Sequence, residues 1–179
     1  QTQETTEEIV AKQRYHVEGR IDNLKGLKGE VEAENSIAAI SAFNEANGVK
    51  IGKNANLTIT DEDGNKTEYK AKIGKHSEST KVTYYEDDKK IGRTKTEFYK
   101  DGEKAGSSKT VTKMDIDNDG KMDKITTVRR ADGSSVSHTK LSKTGDRVVE
   151  VKDSEGKVTG KLSANEKSAA DGSSRSHAR

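Results

Sequence analysis

The chain of 179 residues contains no cysteine, no proline and no tryptophan, and it has only 2 phenylalanines and 5 tyrosines. Without cysteine there is no disulfide framework, no thiol catalysis and no Cys-ligated zinc. Without proline nothing interrupts backbone pairing, so long β-ladders are favoured, edge strands included. The apolar share of 28% is low. We therefore expect a thin architecture, or one completed by other subunits or by metal, because a thick two-layer core needs more apolar surface.

The sequence also lacks a long apolar run and a large net charge. No apolar stretch approaches the roughly 18 residues that a membrane-spanning helix needs. Charged residues reach 36%, but both signs are interleaved and the net charge is only +2. With so few aromatic residues for stacking, this composition gives no support for nucleic-acid binding. The first residue is Gln1 rather than methionine. A mature chain from which a signal peptide has been removed would begin this way, so we expect secretion, with trimming of the chain as the alternative.

The pattern divides the chain into three sections, of which residues 1–48 are predicted to be helical. Thr5 and Glu8 have the spacing of a capping box, and apolar residues follow at loosely helical intervals. Three glycines predict a break near residues 25–29. A second helix is predicted over residues 30–46, with a stop at Asn47 and Gly48 and an apolar stripe that packs on the sheet. The stripe consists of Val31, Ala33, Ile37, Ile40 and Phe43.

Residues 49–162 predict an antiparallel β-hairpin domain, and residues 163–179 a polar C-terminal tail. Short Thr-, Val- and Tyr-rich segments alternate with turns that contain aspartate and glycine, which tolerate the positive φ of hairpin turns. These turns lie at residues 61–65, 101–102, 132–133, 145–146 and 154–156. The predicted fold is therefore mainly β: an antiparallel meander of repeated short hairpins with an N-terminal helical section (α+β).

One pair of segments forms an internal repeat with an offset of 14 residues. Residues 84–96 align with residues 98–110, and the matched residues are Tyr85/Tyr99, Asp87/Asp101, Lys90/Lys104, Gly92/Gly106, Lys95/Lys109 and Thr96/Thr110. A tyrosine, an acidic turn, then a lysine and a glycine resembles the hairpin repeats of MORN-type and YD/Rhs-type bacterial surface proteins. That resemblance implies a repetitive meander in which each hairpin packs beside the next. Two ordinary hairpins with similar turn chemistry are the alternative.

The most informative stretch is residues 114–123, where spacing and side-chain type together indicate calcium binding. Calcium prefers six to eight oxygen ligands, and carboxylates on alternate residues of a tight loop turn inward to supply them. We expect Asp115, Asp117 and Asp119 to contribute side-chain oxygens and Lys121 its backbone carbonyl, while Asp123 closes the far side. Gly120 permits the sharp turn. Magnesium is disfavoured because it prefers a rigid octahedron and retains its waters. An acidic turn that holds no metal is the alternative, although converging carboxylates without a cation would repel one another.

The loop differs from an EF-hand, because Thr126 stands where the twelfth-position glutamate would be and both flanks are strand-like. It resembles the Asp-x-Asp-x-Asp-Gly-x-x-Asp calcium loops between strands in FG-GAP and VCBS-type repeats of secreted and surface proteins. The resemblance covers about 15 residues and implies an extracellular calcium loop, not a propeller. The stretch 61–65 is interpreted as a plain turn, since Gly64 comes too early for the same motif, and a second site at Asp61 and Asp63 is the alternative. The acidic stretch at residues 86–88 is expected to form a solvated turn.

No motif predicts catalysis, so the protein is not expected to be an enzyme. The four histidines, His16, His76, His138 and His177, lack the spacings of zinc ligands. The predicted function is a secreted calcium-binding structural protein that self-associates as the subunit of an extracellular filament, sheath or surface layer. A monomeric secreted ligand-binding or adhesion module is the alternative, with a cell-surface or matrix partner. If the chain polymerises, residues 1–10 are expected to dock on a neighbour.

Overall fold

The computed structural model describes residues 11–49 and 54–165 as one long antiparallel sheet with a single helix. The elements in chain order are β1 (Gln13–Ile21), β2 (Leu24–Ala33), α1 (Ser36–Ala46), β3 (Ala55–Thr60), β4 (Lys66–Ile73), β5 (Ser77–Glu86), β6 (Lys89–Tyr99), β7 (Ser108–Met114), β8 (Asp123–Arg129), β9 (Ser135–Lys140), β10 (Asp146–Lys152) and β11 (Val158–Asn165). Across the sheet the strands lie in the order β11-β10-β9-β8-β7-β6-β5-β4-β3-β1-β2.

The sheet is a meander, which confirms the prediction of a mainly β fold. From β4 to β10 each strand pairs with both of its neighbours in sequence, whereas β1 lies between β2 and β3. Strands that precede residue 48 and strands that follow it therefore belong to the same sheet, although the sequence predicted a change of section at that residue. The predicted turns are present, and their glycines have positive φ: Gly64, Gly102, Gly133, Gly145 and Gly156.

The prediction of a helix ahead of Glu30 is wrong for the described residues, because residues 13–33 form the β1–β2 hairpin. Val17 and Ile21 are four residues apart, a spacing that fits both a helical face and alternate positions of a strand. Gly19 belongs to an irregularity in the β1–β2 register, with φ 143°. An added Cβ there would lie 2.1 Å from the backbone oxygen of Asn56, so the close approach of β3 requires glycine.

The second predicted helix is confirmed as α1, although it begins at Ser36 rather than near Glu30. Asn35 caps it, since its side chain accepts a hydrogen bond from the Ala38 N–H at 2.8 Å. The predicted stop is also present: the Asn47 N–H donates to the Phe43 carbonyl, and Gly48 has φ 65°. With 11 residues, α1 is neither long nor apolar enough to cross a membrane, and it is the one helix of the described residues.

The apolar core lies at one end of the sheet, beneath α1. It consists of Tyr15, Val17, Ile21, Ala33, Ala39, Ile40, Phe43, Leu57 and Ile59, with Tyr69 of β4 packed against it. Phe43 is only 1% exposed and lies over Gly29, where an added Cβ would be 3.4 Å from its ring. Of the predicted stripe, Ile40 and Phe43 are buried in α1, Val31 and Ala33 belong to β2, and Ile37 is exposed.

Beyond β4 the sheet is a single layer in the part of the chain that the structure describes. The helix contacts β1, β2 and β3, whereas β5 to β11 contact one another only as neighbouring strands. Val82 is the one buried hydrophobic residue of these seven strands. The low apolar content thus supports a core at one end and leaves both faces of the other end open to solvent.

The two halves of the 14-residue repeat have different structures. Residues 84–96 contain the tight β5–β6 turn, and Gly92 lies in β6 against Met114. In the second half Gly106 is in the β6–β7 connection with φ 81°. Thr96 and Thr110, which match in the repeat, face each other across β6 and β7. Residues 163–165 of the predicted tail complete β11. The predicted capping box, the N-terminal arm over residues 1–10 and the tail over 166–179 lie outside the described residues.

Candidate metal centre

The β7–β8 hairpin holds the acidic loop. Met114 at the end of β7 is paired with Asp123 at the start of β8, so the eight residues between them form a closed loop. Two residues in the loop adopt the left-handed region, Asn118 with φ 59° and Gly120 with φ 88°. This conformation is inexpensive for glycine and tolerated by asparagine, which is why the loop can reverse direction within so few residues.

The four predicted aspartate ligands converge in this loop. One carboxylate oxygen from each of Asp115, Asp117, Asp119 and Asp123 lies within 4.8 Å of every other. Two oxygens bonded to the same calcium ion at about 2.3–2.6 Å can be no more than about 5.2 Å apart. The cluster therefore has dimensions that one calcium ion can span. It is the one group of at least three acidic or histidine side chains within metal-binding reach among residues 11–49 and 54–165.

Backbone amides within the loop hold Asp115 and Asp119 in place. Asp115 accepts hydrogen bonds from the N–H groups of Asp119 at 3.0 Å and Gly120 at 2.7 Å, one at each oxygen. Asp119 Oδ1 accepts the Lys121 N–H at 2.9 Å. A carboxylate has about four lone-pair sites, so each of these oxygens can still bind a cation. The hydrogen bonds fix the loop in a shape that keeps the carboxylates directed at one another.

Asp123 anchors the loop to the next hairpin. Its side chain is 1% exposed, and its two oxygens accept the Ile116 N–H at 3.0 Å and the Ser142 N–H at 2.8 Å. Ser142 also donates its hydroxyl to the Met122 carbonyl at 2.5 Å. Burial alone would raise the pKa of Asp123, but the Ser142 and Ile116 amides outweigh it, and the pKa is lowered. Asp123 is therefore held ionised inside the loop.

Asp117 lies in an environment that disfavours its ionised form, and Asp119 has one oxygen without a hydrogen-bond donor. Desolvation is the largest cause that raises the pKa of Asp117, followed by the hydrogen bond and charge of Asp119 and the charge of Asp123, and together they bring it to about 6. Two carboxyl groups can share a hydrogen bond only while one holds a proton. Once both are ionised, the buried Asp119 Oδ2 atom has no hydrogen-bond donor. A buried, unpaired anionic oxygen is costly, and a cation in the loop would remove that cost.

Sequence reasoning identified the four carboxylates but missed Ser142. It lies in the β9–β10 turn, 19 residues after Asp123, and a lone serine there carries no sequence signal. Lys121 is in the loop and exposed, and the contribution of its backbone carbonyl to a metal stays a prediction. The Asp61 turn is held differently: Asp61 Oδ1 accepts the N–H groups of Asp63 and Asn65, both at 2.9 Å. These residues belong to no metal-sized cluster of the described chain.

Three of the four histidines lie in the described part of the chain. His16 contacts Glu30 at 2.9 Å and Glu18 at 3.2 Å, and His76 contacts Asp101 at 2.6 Å. His138 lies on an open face of β9. None of the three belongs to the metal-sized cluster.

Comparison with known protein families, with characterised proteins and with solved structures gives no match for this chain.

Proposed function

We propose that the protein binds one calcium ion in the loop between β7 and β8, and that the ion has a structural role. The observation that carries this proposal is the convergence of four carboxylates, one of which, Asp119, has a buried oxygen without a hydrogen-bond donor. Asp115, Asp117, Asp119 and Asp123 are the side-chain ligands, and Lys121 contributes its carbonyl. Calcium is favoured over magnesium because the loop offers several protein oxygens, whereas magnesium retains most of its waters.

The test compares thermal unfolding in 10 mM calcium and in chelator. The variant Asp117→Ala with Asp119→Ala should lose the calcium-induced rise in Tm that the parent chain shows. The matched control is Asp61→Ala with Asp63→Ala, which removes the same charge from another acidic turn and should keep the rise. Equal melting curves for the parent chain with and without calcium would show that the loop is only a turn. Loss of the rise in both variants would show a general charge effect rather than a site.

We propose further that the protein is an extracellular structural subunit that associates through its sheet edges. In the described residues β2 and β11 each pair on one side only. The β11 edge carries Leu162, which is 69% exposed, and Val158, also exposed. Without proline at these edges, unpaired backbone groups can accept a strand from another chain. Calcium loops of extracellular modules have dissociation constants of about 10⁻⁴–10⁻³ M. The loop would therefore be occupied by calcium outside a cell, and the ion would hold the loop in one conformation.

Sedimentation velocity tests the assembly. Particles larger than the 19.5 kDa chain should form in calcium, and Leu162→Lys, on the β11 edge, should reduce them. The control is Ile37→Lys, which places the same charge on an exposed helix position and should leave association unchanged. A 19.5 kDa monomer in calcium and in chelator would contradict self-assembly while leaving the calcium site standing.

The second candidate function is a monomeric secreted binding or adhesion module with a cell-surface or matrix partner. The single-layer part of the sheet supports it, because that part offers two open faces of different chemistry. Neither candidate involves catalysis.

A further inference from the structure

One face of the single-layer sheet concentrates positive charge that the net charge of the chain does not reveal. Directly opposite residues on neighbouring antiparallel strands share a face, so the strand register assigns each side chain to a side of the sheet. Five strands contribute one cation each to a continuous line, here called the cationic row: Arg93, Lys113, Lys124, Lys140 and Arg147. Three more strand partners on the same face form the short row: Lys70, Lys81 and Lys95.

The other face of the same strands carries no comparable line of cations. It carries hydroxyl groups in cross-strand pairs: Thr94 with Thr112 at 3.2 Å, Thr96 with Thr110 at 3.1 Å, and Thr127 with Ser137 at 2.9 Å. The segregation arises from strict alternation, as in Thr94, Lys95 and Thr96, where the lysine points away from both threonines. Alternation therefore converts a sequence of interleaved charges into one cationic face and one face on which hydroxyl groups are mixed with charges of both signs, such as Arg129 and Glu150.

The cationic arrangement is unfavourable in the isolated chain. The two rows consist entirely of like-charged residues directly opposite one another, and such pairs destabilise a sheet. No acidic group of residues 11–49 and 54–165 forms an ion pair with Arg93, Lys113 or Lys124. From β5 to β10, Glu97 is the one acidic strand residue on this face. Neighbouring cations also lower the pKa of Lys95, chiefly Arg93 and then Lys81. The repulsion indicates a surface that is completed by an external polyanion.

We infer that the cationic row and the short row bind an extended anionic polysaccharide, such as a uronate or sulfated chain. Neighbouring strands are about 4.7–4.9 Å apart, so four steps from β6 to β10 make the cationic row about 19 Å long. The spacing between neighbouring strands is close to the length of one extended sugar residue. Successive acidic sugars can therefore contact cations on successive strands. The surface is distinct from the calcium loop and rests on different residues.

Nucleic acid fits this face less well. Proteins that hold single strands without sequence preference stack bases on several aromatic side chains, but the line of residues beside the cationic row offers a single ring, His138, among Val111, Thr126 and Val149. Duplex DNA is read by a helix or a narrow ribbon that enters the major groove, about 12 Å wide, whereas this face is a sheet many strands wide. A membrane surface would require large apolar or aromatic anchors near the cations, and Phe and Trp do not occur on the two rows.

The test measures binding of the full chain to a fluorescent heparin decasaccharide and to a polyuronate of equal length, in chelator, by polarisation. Lys113→Gln with Lys124→Gln removes the middle of the cationic row and should weaken binding at least tenfold. It should also reduce the slope of log K against log salt by roughly 1.4–1.8, at about 0.7–0.9 per charge removed. Because the variant relieves like-charge repulsion, its Tm should equal or exceed that of the parent chain, which keeps a folding defect separate from a binding defect.

The matched control is Lys25→Gln with Lys161→Gln, which removes two exposed lysines outside the rows and should bind as the parent chain does. Asp117→Ala with Asp119→Ala should also retain binding in chelator, so loss of the calcium site and loss of this surface are distinguishable. Equal weakening in the lysine control, or no binding to either polysaccharide, would overturn the inference. Tighter binding to single-stranded or duplex DNA, or to anionic vesicles, would overturn it in favour of that partner. Association with a second copy that Lys113→Gln with Lys124→Gln abolishes, without polysaccharide binding, would overturn it too.

Discussion

The two ends of the sheet solve the same structural problem in different ways. At the cored end, β1 to β3 pack beneath α1, Tyr69 of β4 packs against the same core, and apolar burial stabilises the strands. At the single-layer end, β5 to β11 have hydrogen-bonded ladders, hydroxyl pairs and an acidic loop, with Val82 as their one buried hydrophobic residue. Strand pairing, once begun on a core, can therefore extend over seven further strands with little apolar burial, provided that cross-strand contacts are favourable.

Charge distribution separates the two ends as well. In the β1–β2 hairpin opposite charges face each other, as in Arg14 with Glu32 and Glu18 with Lys28. On the corresponding face of the single-layer end like charges face each other along both rows. The cored end thus uses its surface charge for stability. The single-layer end instead brings like charges together on one face.

Removal of the central core side chain should produce the largest effect. Phe43→Ala creates a cavity at a fully packed site and should lower the free energy of unfolding by about 3–5 kcal/mol. Phe98→Ala, at a position that is 42% exposed in the single-layer end, should cost less than about 1 kcal/mol. Urea denaturation of the two variants measures both values. Similar losses would mean that the two ends are not stabilised differently.

Gly19→Ala should destabilise the cored end by about 2–4 kcal/mol, because the added Cβ meets the Asn56 carbonyl and φ is positive. Gly64→Ala is the control, since Gly64 also has positive φ but has nothing within 4 Å of an added Cβ. It should cost only about 1–2 kcal/mol. Denaturant midpoints compare the pair, and a larger loss at Gly64 would contradict the proposed close approach of β1 and β3.

Calcium should stabilise the single-layer end selectively. At 10 mM, an affinity of about 10⁻⁴–10⁻³ M predicts a stabilisation of about 1.4–2.7 kcal/mol. Hydrogen exchange should slow in β7 and β8, and in the β9–β10 turn because Asp123 holds Ser142, whereas β1 to β3 should change little. Uniform slowing over the whole sheet would show that the two ends unfold as one unit.

Calcium affinity should decrease as the pH is lowered, because protons compete with calcium for the Asp117 carboxylate. The pKa of Asp117 is raised from the ordinary 3.8 to about 6. Without metal, the protonated carboxyl therefore contributes to folding stability in full below about pH 3.8, and this contribution is lost as the pH rises through about 6. Bound calcium requires the ionised form. The apparent affinity should therefore decrease about tenfold between pH 7 and pH 5, as measured by calorimetric titration. An affinity that does not change over this interval would exclude Asp117 as a ligand.

The smallest effect concerns His16 at the cored end. Hydrogen bonds to Glu30 and Glu18 raise the pKa of His16 above 6.5. Its contribution to stability is therefore present below pH 6.5 and is lost as pH rises through the raised value. His16→Gln should flatten the pH dependence of Tm slightly in this range, and NMR titration gives the pKa directly. A pKa at or below 6.5 would contradict the pairing.

Local chemistry made much of this molecule predictable. Aspartate and glycine specify turns by their backbone preferences, so the meander and its turns followed from the sequence, and the spacing of four aspartates located their cluster. Asn47 and Gly48 marked the end of α1 for the same reason. These features depend on residues close together in the chain.

The errors came from features that depend on distant contacts. Val17 and Ile21 fit a helix and a strand equally well, and only pairing of β1 with β3 decides between them. Ser142 reaches the acidic loop because two hairpins lie side by side. The cationic row was invisible for a related reason: register across five strands brings Arg93, Lys113 and Lys124 together, although acidic residues separate them in sequence. Charge counts along the chain average over both faces of the sheet.

The meander topology has a consequence for how such a chain can change in length. Because each strand from β4 to β10 pairs only with its sequence neighbours, adding or deleting one hairpin leaves every other pairing in the same register. Each hairpin shifts one end of the sheet by about 9–10 Å. Duplication or loss of a single genetic segment could therefore alter the reach of the molecule in fixed steps, while its fold stays the same. The width of the sheet is thus set by the number of its hairpins.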